Sequence, residues 1–102
     1  MNDPENIVTA IYRAVDWING ELRPDRQLIK ARETRLLGSQ SVLDSMHLVS
    51  LIVAIEREVE DIFGVTLTLV DERALSMKES PFRSIQSLAD YIGILIMNRR
   101  PQ

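Results

Sequence analysis

The sequence predicts an all-α fold: a small four-helix bundle, three principal helices and one short one, with a long first loop. Three observations carry this expectation. Apolar residues recur at helical spacing in three separate stretches. Each stretch opens beside a residue able to cap a helix. No two alternating segments are available to pair as a sheet. At 102 residues, 45% apolar and 26% charged, the chain has the size and composition of one domain, residues 1–102.

The first helix is expected over residues 4–19. Asp3 supplies an N-cap acceptor, and Pro4 sits where no N–H is needed. Ile7, Val8, Ile11, Ala14, Val15 and Ile18 then follow at helical spacing, and Gly20 is the expected stop. Residues 20–43 show no sustained period. Pro24, mixed charges and "GSQS" mark a long connection, with Leu28, Ile29, Leu36 and Leu37 as its expected anchors to the core.

A second helix is expected over 45–63. Leu48, Ile52, Ile55, Val59 and Ile62 form its apolar stripe, and Gly64 ends it. Val65, Leu67 and Leu69 alternate as in a strand, but with no partner strand they read as an extended link into a short helix at about 71–76. Pro81 bars a helix in "MKESPFR". Ser84 then caps a last helix over 85–97, with Ile85, Leu88, Ala89, Ile92, Leu95 and Ile96 inward. Trp17, Met46, Met77 and Met97 read as packing residues rather than a cofactor box.

Composition excludes several classes of function. Cysteine is absent, which removes disulfides, thiolate nucleophiles and Cys-based zinc sites. No apolar run approaches the roughly 20 residues of a membrane span. The start "MNDPENIV" lacks the pattern of a secretory signal, so a cytoplasmic location is expected. Residues 44–80 carry eight acidic side chains against three basic, a local charge of −5. Such a surface repels nucleic acid and attracts proteins with basic patches.

Asp44, Ser45 and His47 invite comparison with a catalytic triad. On a helix, at about 100° per residue, Ser45 and His47 point some 200° apart and cannot hydrogen-bond. His47 is also the only histidine. With no phosphate-cradling glycine loop and no metal-ligand cluster, no catalytic residue and no metal site are expected. Two roles for Ser45 stay open at this point: helix cap, shared in prospect with Asp44, or chemical handle.

"LDSM" opening an apolar helix, "AIEREVEDIFGV" along it, and "SLADYI" near the end resemble the acyl carrier protein family over roughly residues 4–96. The resemblance implies a four-helix bundle with a long first loop. It also implies that Ser45 carries 4′-phosphopantetheine covalently, moved from coenzyme A by a phosphopantetheinyl transferase with magnesium. Asp44, its motif neighbour, would help recognise the transferase or the metal. The matching docking positions are Met46, Val49, Val53 and Glu56, which would meet acyl-transferring or acyl-activating enzymes through their basic patches. The chain would act as a monomer, spanning no membrane and binding no nucleic acid, in fatty acid, polyketide or other specialised biosynthesis. Met46 replaces the usual leucine, Val42 stands where many carriers have glycine, and His47, Ser50 and Arg57 interrupt the acidic pattern. These departures point to a specialised, freestanding carrier. "LDS" is similar to aminoacyl and peptidyl carriers as well, and a helical adaptor never modified on Ser45 is the alternative from another class.

Overall fold

The computed structural model describes residues 4–37, 43–69 and 81–99. They contain three α-helices: α1 (Pro4–Asn19), α2 (Ser45–Phe63) and α3 (Ile85–Arg99). A single 3-10 turn at Pro24–Arg26 interrupts the first loop. The short helix expected at 71–76 lies outside the described residues, as do Asp3 and Met77. Among the described residues the bundle is wholly helical apart from one isolated antiparallel bridge, Arg35 to Ser84.

Helix α1 is the hub, packing against both α2 and α3. Its apolar positions 7, 8, 11, 14, 15 and 18 are all buried, as the spacing predicts, with Ala10 added. From α2 come Leu48, Leu51, Ile52, Ile55 and Val59, and from α3 Ile85, Leu88, Ala89, Ile92 and Ile96. Each fully buried aliphatic side chain contributes about 1.5–3 kcal/mol relative to exposure. That is why a 3.6-residue period, once present in three stretches, settles which faces meet. Ile62 and Leu95, expected inward, are half-buried at the edge of this core.

The long first loop is held by specific polar contacts. Asn19 reaches forward to Leu28, its Oδ1 accepting the Leu28 N–H at 2.8 Å and its Nδ2 donating to the Leu28 carbonyl at 3.0 Å. Leu28 and Leu36 are buried, whereas Ile29, expected as an anchor, is 73% exposed. In a loop without a period, neighbouring residues turn to opposite sides, and here the carbonyl of Ile29 rather than its side chain is used, accepting from Thr34 Oγ1 at 2.7 Å. The loop's far end ties to the start of α3. Leu36 N–H donates to the Arg83 carbonyl at 2.8 Å, Ile85 N–H to Thr34 at 3.0 Å and Gln86 N–H to Arg32 at 2.8 Å.

Residues 65–69 belong to no helix or strand, and Leu67 and Leu69 are buried. Gly64 ends α2 in the left-handed conformation (φ 67°, ψ 22°), its N–H donating to the Glu60 carbonyl at 2.9 Å. Gly20, by contrast, ends α1 in a simple turn, its N–H donating to the Trp17 carbonyl at 3.1 Å with no positive φ. Phe82, which the sequence places in a loop, is fully buried and meets the Tyr91 ring edge-on at 6.4 Å.

Candidate functional site

The start of α2 decides between the two capping candidates. Asp44 is the N-cap, in extended conformation (φ −85°, ψ 175°). Its Oδ1 accepts the His47 N–H at 2.7 Å, while its carbonyl accepts the Leu48 N–H at 2.9 Å to begin the helix. His47 Nδ1 lies 3.0 Å from the same carboxylate oxygen, a hydrogen bond whenever that nitrogen carries a proton. The His47 N–H bond, joined by the charge of a protonated His47 ring, holds the Asp44 carboxyl below its ordinary value, although partial desolvation opposes the shift. Ser45 is the first helical residue and is not the cap.

This helix start is bare. Asp44 is exposed, and Met46 beside it is 79% exposed. Val49 and Val53, at 38% each, continue an outward apolar strip along α2 next to the core stripe. The three sit at i, i+3 and i+7, so one edge of the helix presents them together. Met46 and Trp17, which the sequence reading took for packing residues, are largely solvent-facing, as is Met97. Long apolar side chains at the margin of a helical face can fall on either side of it, and here the neighbouring helix does not extend over them.

Three of the four acidic residues of α2 are engaged within the chain, and the fourth, Asp61, is exposed. Glu56 accepts the Leu69 N–H, clamping the extended link against the helix. Glu58 pairs with Arg13 of α1 at 3.8 Å, and Glu60 accepts from Thr66 Oγ1 at 2.9 Å. The acidic run thus ties α2 to its neighbours, and Glu56 is half-buried rather than projecting beside Met46, Val49 and Val53.

Cations stand near Asp44 instead. Arg23 and Arg26 share with Leu43, Asp44 and His47 a surface pocket of about 280 Å³, which also includes Glu21. Arg23 is paired with Asp25 at 3.5 Å. The first-turn N–H of His47 is already taken by Asp44. Among the described residues no cluster of three His, Cys, Asp or Glu could hold a metal ion, and no helix is long and apolar enough to cross a membrane.

Comparisons with protein-family models, with curated proteins and with solved structures find no match to this chain.

Two features of the site escaped the sequence reading. Leu51 is fully buried although it lies one position before the stripe residue Ile52, so the buried face of α2 is wider than one stripe. Ser87 completes the cap of α3, and the spacing Ser84-x-x-Ser87 was the available signal for it.

Proposed function

We propose that the chain is an acyl carrier of the four-helix type, with 4′-phosphopantetheine attached to Ser45. The observation that carries this reading is the division of labour at the start of α2. Asp44 is the N-cap, its carboxylate accepting the His47 N–H, and Ser45 follows it as the first residue of the helix.

In the loading step the Ser45 hydroxyl oxygen attacks the phosphorus of coenzyme A that bears the pantetheine. A P–O bond forms to Ser45, the pyrophosphate P–O bond breaks, and 3′,5′-adenosine bisphosphate leaves. The hydroxyl proton passes to a base of the transferase. Asp44, held ionised by the His47 N–H, offers its charge to the magnesium of that enzyme while keeping the first turn of α2 formed. Once attached, the arm supplies a thiol that holds an acyl group as a thioester.

The protein's own part is presentation rather than catalysis. Met46, Val49 and Val53 offer partner enzymes a narrow apolar strip beginning next to Ser45. Glu56, Glu58 and Glu60 are engaged within the chain, which leaves Asp44 and Asp61 as the exposed carboxylates that can join this strip in docking. Effective concentration at a docked partner comes from the tether.

Intact mass after incubation with coenzyme A, magnesium and a broad-specificity phosphopantetheinyl transferase tests the reading. The expected result is a gain of one phosphopantetheinyl group in the wild type and none in Ser45→Ala. No gain, with a transferase shown to be active on another carrier, overturns it in favour of an unmodified adaptor.

A further inference from the structure

A groove of about 410 Å³ runs between α1 and α2, open to solvent and separate from the pocket beside Asp44. Small residues line it from both helices, Ala14 on α1 and Ser50 and Ala54 on α2, together with the Trp17 indole, Val49 and Val53. Arg57 and Glu58 close one end.

These two charges are not equivalent. Glu58 is paired with Arg13 across the helices. Arg57 is exposed and has no carboxylate in ion-pairing range among the described residues. The groove therefore combines apolar walls with one uncommitted guanidinium, a donor set suited to bidentate contact with a carboxylate.

Its position links it to Ser45. Met46, Val49, Val53 and Arg57 fall on one edge of α2, and Ser45 to Arg57 spans about 18 Å of helix. A phosphopantetheine arm has roughly the extended length of five residues, about 17 Å. The whole groove is within its reach.

We propose that this groove is a resting site for the cargo, and that the cargo it fits is an acyl chain ending in a carboxylate. Methylenes would lie against Trp17, Val49 and Val53, with the terminal charge on the Arg57 guanidinium. The inference rests on the carrier reading for its tether. A groove this open binds weakly in trans, and the millimolar effective concentration of a short tether makes weak binding sufficient.

Trp17 is the only tryptophan, so its emission reports on the groove directly. In Ser45→Ala, which cannot be loaded, titration with octanoate should give a saturable blue shift. Octanol, with the same chain length and no carboxylate, should bind about tenfold more weakly, the equivalent of one charge-assisted hydrogen bond. Adding Arg57→Gln should weaken octanoate by a similar factor and leave octanol unchanged. Circular dichroism checks that each variant is folded. A flat titration overturns the proposal, as does an equal response to octanoate and octanol or indifference to Arg57→Gln. The mass experiment on the wild type stands apart from this one. Arm attachment with a flat titration removes the groove and keeps the carrier; a saturable, Arg57-dependent titration without arm attachment removes the carrier and leaves a site for free carboxylates.

Discussion

A serine stands at the start of both α2 and α3, as the first residue of α2 and as the residue before α3, and the two starts are built differently. At α3 the serines are consumed. Ser84 Oγ accepts the Ser87 N–H at 3.2 Å, Ser87 Oγ accepts the Ser84 N–H at 3.0 Å, and Ser87 Oγ also donates to the Pro81 carbonyl at 2.8 Å. This reciprocal cap sits over a buried Phe82 and is stitched to the first loop through Arg32 and Thr34. At α2 the N-cap is an aspartate, Met46 faces solvent, and the serine lies one residue past the cap. The contrast separates a helix start made for the core from one left open at the surface.

The largest test of that contrast is side-chain removal. Phe82→Ala should cost about 3–5 kcal/mol in urea unfolding, because it empties a fully buried site under α3. Met46→Ala, in the first turn of α2, should stay within about 0.5 kcal/mol. If Met46→Ala proved as damaging as Phe82→Ala, the start of α2 would belong to the core after all.

The serines themselves give the next largest difference. Ser84→Ala should destabilise by about 1 kcal/mol through loss of the cap, and Ser45→Ala by less than about 0.5 kcal/mol. Paired thermal melts decide this, and equal losses would mean that Ser45 shares the capping after all.

The smallest effect is electrostatic. A carboxyl whose folded pKa is depressed adds stability above its unfolded value near 3.8, and that addition disappears as pH falls through the lower folded value. Wild type should therefore exceed Asp44→Asn in melting temperature near neutral pH, with the difference shrinking as pH falls below about 4. Asparagine keeps an acceptor for the cap, so the comparison isolates the charge. A difference that persisted to pH 2 would show that the charge is not the source.

How far the sequence could be read depended on where periodicity reached. The bounds of α1 and α2 agree with those expected, and α3 runs two residues further than 97, because capping and a 3.6-residue repeat are local properties. Leu28 and Ile29 show the opposite case. Adjacent, both aliphatic and in a loop, they differ completely in burial, and only the Asn19 side chain that grips the Leu28 backbone determines which one turns inward.

At the candidate site the residue types were legible, but the exposure of Met46 was not: its apolar side chain reads as packing, and the structure leaves it largely in solvent. Nor were the duties of the charged residues legible. Glu56, Glu58 and Glu60 look alike in a string of acids, yet each has a different partner, from Leu69 N–H to Arg13 to Thr66.

By itself, then, the sequence determined the three helices, their inward stripes and the two residues able to cap α2, since neighbours along the chain are enough for each. Tertiary structure alone decided that Trp17 borders an open furrow and that Glu58 is spent on Arg13 while Arg57 is not. The reason is geometric. Exposure and ion pairing at a helix margin depend on how closely the next helix approaches, and the groove between α1 and α2 is lined by Ala14, Ser50 and Ala54, residues 36 to 40 positions apart in the chain.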